Sequence, residues 1–99
     1  MSTNPSTRLA DLRAQIQTLT TQHEILQSEH LFLGSYIYTG GTLGTFFSYA
    51  VSAEKQVSDP KEWEDIQARK RQIVKKMENI LAVREELRGR EMEVLGLAL

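Results

Sequence analysis

Cysteine is absent from the 99 residues, which removes disulfide staples, thiolate nucleophiles and zinc-knuckle ligands together and agrees with a reducing compartment. An excess of one charge is missing too. Twelve basic and 13 acidic residues leave a formal net charge of −1, so the whole-chain field neither draws nor strongly repels polyanions, and no nucleic-acid partner is expected. The chain also lacks a G-x-S-x-G elbow, a P-loop, an H-E-x-x-H pair and a dinucleotide fingerprint, and Thr39-Gly40-Gly41-Thr42 has no lysine to cradle a phosphate. Its glutamates fall on amphipathic stretches, where solvated carboxylates are the default. These gaps exclude the common enzyme classes, so no catalytic residue, cofactor or metal is assigned. Met1 to Thr7 are small and polar with no apolar run behind a basic start; they read as a flexible tail and not as a signal peptide. The expected setting is intracellular and soluble, in cytoplasm or nucleus.

What the chain does have is a heptad. Leucine recurs at Leu12, Leu19, Leu26 and Leu33, with Leu9, Ile16 and Ile37 at the alternate positions. With Leu9 as a and Leu12 as d, the a series runs through Ile16, His23, His30 and Ile37, and such a 3.5-residue apolar period keeps one stripe turned toward a partner helix. Asn4 and Pro5 supply a cap and a first helical residue, and no Gly or Pro interrupts Arg8 to Leu33, so a coiled-coil helix is expected over residues 8–33. Ser58-Asp59-Pro60-Lys61-Glu62 opens a second amphipathic helix over 59–95, with Asp59 capping and Glu62 where a capping box needs it. Its apolar positions are Ile66, Ile73, Ile80, Leu87 and Val94, flanked by Trp63, Val74, Met77 and Leu81 in a stripe wider than a bare seam. The alternate positions Lys70, Arg84 and Glu91 are charged, and Gly89 should weaken the helix end.

Between the helices lies a connecting segment, 34–57, rich in Gly and aromatic residues; no charge occurs from Leu31 to Ala53. Three readings compete. Continued 4-3 spacing through Leu33, Ile37, Gly40, Gly44, Phe47 and Val51 extends the first helix, with a break near Gly40-Gly41 giving a three-helix arrangement. Alternatively, Tyr36–Thr39 and Thr42–Phe47 form a small β-hairpin within residues 35–47 about a Gly40-Gly41 turn. A third reading is a membrane span, since 23 uncharged residues are long enough to cross and Gly40-xxx-Gly44 offers a helix-dimer face. The hairpin reading gives a layout of helix, small β element and helix that is similar to that of the prefoldin family, whose coiled-coil arms hold non-native chains. The similarity is one of layout alone, and it implies a binding module with a central β platform.

His23 and His30 occupy a positions one heptad apart. Polar residues there fix register and oligomeric state, while imidazoles that titrate near neutrality would make the seam sensitive to pH. A metal site fits poorly, because seven residues of rise separate the rings by about 10 Å and no carboxylate sits at a neighbouring a or d position. Arg69-Lys70-Arg71 and Lys75-Lys76 wrap around two turns as a solvated face, with Asp65 placed to pair with Arg69. Trp63 is expected to pack on Phe46 or Phe47.

The expected architecture is one all-α domain, an antiparallel helical hairpin or three-helix coiled-coil-like arrangement. The expected work is assembly with other protein subunits, as a homo- or hetero-oligomer, through Leu12, Ile16, Leu19, His23, Leu26, His30, Leu33 and Ile37 on the first helix. The second helix would contribute Ile66, Ile73, Met77, Ile80 and Leu87. On this view Leu19→Glu abolishes assembly.

Overall fold

A computed structural model describes residues 5–40 and 52–96. In chain order its elements are helix α1 (Pro5–Gly34), strand β1 (Ile37–Tyr38), a 3-10 turn (Ala53–Lys55), strand β2 (Gln56–Val57) and helix α2 (Pro60–Val94). The two helices pack against each other in opposite directions: Arg13 approaches Glu91 and Thr20 approaches Arg84, so positions rise on α1 as they fall on α2. The fold class is therefore an antiparallel helical hairpin. Contacts divide the chain into two compact units, Met1–Leu26 with Lys76–Leu99 and Gln27–Lys75.

Helix α1 starts at Pro5, a residue with no amide hydrogen to leave unpaired in the first turn. It stops where Ser35 turns back on it. The Ser35 amide and hydroxyl both donate to the Phe32 carbonyl, at 3.1 and 2.6 Å, and the Tyr36 amide donates to Leu33, bonds to the third residue back that close the last turn. This ends the expected helical continuation at its first step. A continuous helical span across 31–53 fails for the same reason, since residues 35–40 form a turn and a strand. Ile37, expected as an a residue, lies in β1 instead. Among the described residues no helix is long and apolar enough to cross a membrane.

Strand β1 pairs in parallel with β2, Ile37 opposite Gln56 and Tyr38 opposite Val57, and the Thr39 amide extends the ladder to the Val57 carbonyl at 2.7 Å. The first strand of the expected hairpin is thus present with a different neighbour; its expected partner, Thr42–Phe47, lies outside the described residues. Val57 is one of the most buried side chains in the unit. Gly40 follows directly, and a Cβ there would collide with the Tyr38 ring, so position 40 has no room for a side chain while that tyrosine stands beside it.

Helix α2 opens as its sequence demands. Asp59 Oδ1 accepts from the Lys61 amide at 3.0 Å, the Asp59 carbonyl accepts from Trp63, and Pro60 and Glu62 stand in the first turn. The helix passes through Gly89 without ending. It closes after Val94, where Gly96 takes a φ of +73°, a left-handed conformation that glycine adopts without a steric penalty.

Candidate functional site

On α1 the half-buried and buried positions are Leu9, Leu12, Ile16, Leu19, His23 and Leu26, then His30 and Leu33 in the other unit; they follow the a and d series. Thr20 and Glu29 are half-buried beside them. On α2 the spacing of Trp63, Ile66, Lys70, Ile73, Met77 and Ile80 continues through Arg84, Leu87, Glu91 and Val94 in strict steps of three and four. Gln67, Ala68 and Arg69 are half-buried beside Ile66 and Lys70, so the stripe there is wider than a bare seam, while Val74 and Leu81, counted into it, are 37% and 36% exposed. The seam is also more regular, because the charged residues Lys70, Arg84 and Glu91 take their places in it.

Two of the three charged seam residues face a polar group on α1. Glu91 lies 3.8 Å from Arg13, and the Arg84 guanidinium points one nitrogen at the Thr20 hydroxyl at 3.5 Å. Arg84 Nε is buried with no partner, the single such side-chain atom among the described residues. Thr20 spends its own hydrogen on the Ile16 carbonyl, leaving its oxygen free to accept.

In the unit Gln27–Lys75, Arg69 makes a two-pronged contact with Glu29, with both N–H···O distances 2.9 Å. This hydrogen-bonded carboxylate, outweighing desolvation, raises the arginine pKa above its ordinary value, which leaves it charged at every working pH. The expected pairing with Asp65 gives way to this one, because a planar fork matches a facing carboxylate better than a neighbour one turn away. Ile73 is fully buried here. Trp63 stacks on Tyr38 with ring centroids 5.7 Å apart; Phe46 and Phe47, its expected neighbours, lie outside the described residues. The Lys55 ammonium sits 3.7 Å from the centre of the Phe32 ring and 4.7 Å from that of Tyr36, two rings set edge to face. Sequence reasoning missed this cluster, in which Lys55 stands 19 and 23 residues from the two rings it covers.

The unit formed by Met1–Leu26 and Lys76–Leu99 carries a groove along one flank of its seam. One stretch, about 440 Å³, is lined by Gln22, Ile25, Leu26, Lys76, Asn79 and Ile80. A second, about 370 Å³, is lined by Ala14, Gln15, Thr18, Leu19, Val83 and Leu87. Both lie on the same side of the heptads: Gln22 is to Lys76 in one stretch as Gln15 is to Val83 in the other, seven residues back on α1 and seven forward on α2. Leu19, Leu26, Ile80 and Leu87 thus serve both the seam and the groove floor. Leu19→Glu would strike folding and surface together, whereas Ile25 and Val83, 62% and 45% exposed, belong to the groove alone. Lys76 is the only charge in the lining and has no ion pair among the described residues.

His23 and His30 are half-buried at their a positions. Among the described residues no group of three or more His, Cys, Asp or Glu is placed to hold a metal ion. The geometry is that of a packing surface, apolar at its floor and neutral along most of its rim. Comparison with models of protein families, with curated proteins and with solved structures finds no match to this chain.

Proposed function

We propose that the chain is a non-enzymatic assembly subunit, which completes its coiled-coil core by packing against further helices in a multi-subunit complex. The observation that carries this reading is the imbalance of its apolar residues. Among the described residues four hydrophobic side chains are buried, Leu12, Val57, Ile73 and Leu87, while eight large ones stand exposed, Ile25 and Val83 in the groove among them. Burying one such side chain fully contributes about 1.5–3 kcal/mol, so a surface left this way has a strong tendency to acquire a cover. The test is the native size of the tagged full chain in extract. It should elute well above 11.3 kDa, and Ile25→Glu with Val83→Glu should elute as a monomer of unchanged helicity. A wild-type chain that runs as a folded monomer, alone and in extract, ends the reading.

The pairing of β1 with β2 between two long helices favours a second reading, the prefoldin-like binding module, with Leu31 and Phe32 exposed at the end of α1 as its contact residues. Such a module would suppress aggregation of a denatured reporter at stoichiometric ratio, and Leu31→Ser with Phe32→Ser would lose that effect. No suppression by the wild type dismisses it.

A further inference from the structure

Resting on the assembly reading, we infer that the first cover of the groove is a second copy of this chain, two hairpins closing a four-helix bundle about a two-fold axis.

Charge selects the occupant. The groove lining spans positions 76 to 87 on α2, and a two-fold axis crossing that helix level with residue 81 sets Asn79 of one copy against Val83 of the other. The same operation sets Lys76 opposite Glu86. Lys76 is the lone charge of the lining, and Glu86 lies on the same helix flank as Asn79, one heptad on, with a side chain 63% exposed and paired, among the described residues, with Arg90 of its own helix. The symmetry therefore answers the single cation of the lining twice, once on each side of the axis, and opposes no like charges among the lining residues. Such isologous closure is the commonest route to a soluble oligomer. On α1 the axis falls near Thr20, so Gln15 meets Ile25 and Gln22 meets Thr18, contacts in which no charge is buried.

Sedimentation equilibrium of the purified full chain over a concentration series tests this. The wild type should weigh twice 11.3 kDa, and Val83→Glu should be a monomer with the wild-type helical signal. Lys76→Glu and Glu86→Lys should each raise the dimer dissociation constant about tenfold, since each turns two attractions into two repulsions at the interface rim, and the double exchange should restore it. These two sites are exposed, so both variants fold even if Val83→Glu does not. A dimer untouched by Val83→Glu, or single exchanges without rescue, overturns the two-fold groove. A folded wild-type monomer that still enters a larger assembly in extract, sensitive to Val83→Glu, overturns self-pairing and leaves the assembly reading standing.

Discussion

Replacing Arg84 by methionine should make the protein more stable, although it deletes a charge and a hydrogen bond. Arg84 occupies a seam position between Ile80 and Leu87, and its Nε is buried without a partner. A buried donor left unpaired costs about 1–3 kcal/mol. What the substitution removes is small, because the contact from Arg84 to Thr20 is 3.5 Å long and Thr20 keeps its bond to Ile16. What it adds is an unbranched apolar side chain of similar reach in an apolar layer, the kind of exchange that leaves buried polar sites neutral or more stable. The net expectation is a gain of about 1–2 kcal/mol, which for a domain near 100 residues raises the melting temperature by roughly 4–16 °C. Urea and thermal unfolding followed by circular dichroism, at one fixed protein concentration, measure it. Thr20→Val in the methionine background should then change little. A loss of more than about 1 kcal/mol on Arg84→Met, with unchanged denaturant slope, would refute the reasoning by showing that Nε is satisfied in solution.

Ile73→Ala should cost about 2–5 kcal/mol, since its side chain is fully enclosed, while Val74→Ala, one residue on and 37% exposed, should stay within about 0.5 kcal/mol in the same urea titration. Asp59→Ala should cost about 1 kcal/mol by releasing the Lys61 amide, and Asp59→Asn should recover most of it. Tyr38→Ala should shift the emission of Trp63, the single tryptophan, to longer wavelength as the stacked ring is lost; unchanged emission would place the indole elsewhere.

Both helices and their direction were legible because the signals are local and redundant. Heptad spacing, an uninterrupted run and proline at the first turn all agree on α1, and the Asp59-Pro60 start of α2 is a cap that one stretch of five residues announces. The end of α1 expected at Leu33 lies one residue from the observed end at Gly34, but whether the helix ran on stayed open among three readings, because apolar period continues through Ile37 while the decision is made by the Ser35 hydroxyl folding back on Phe32. Periodicity reports which face would be buried if the helix continued; it has no say in whether it does. Val74 and Leu81 read as part of the α2 stripe by residue type, whereas their exposure depends on which side of the seam α1 covers. The groove was hidden for the same reason: Gln15, Gln22, Lys76 and Val83 share nothing in sequence except the same place in the heptad. Glu29 with Arg69 needed the register between helices, which neither helix states alone.

Gly40 has one further consequence, for how this chain can vary over generations. The barrier to a side chain at position 40 is raised by Tyr38, two residues away, and not by the backbone angle of Gly40 itself. Tyr38 in turn is held in place by its stack on Trp63. The permissible residues at position 40 are thus conditional on position 38, and those at 38 on 63. Substitution at Gly40 should be deleterious in the present background and tolerated after Tyr38 has become small, so the order in which changes arise decides which survive. Three positions spread over 26 residues would then drift as one inherited unit, their histories linked by a single ring.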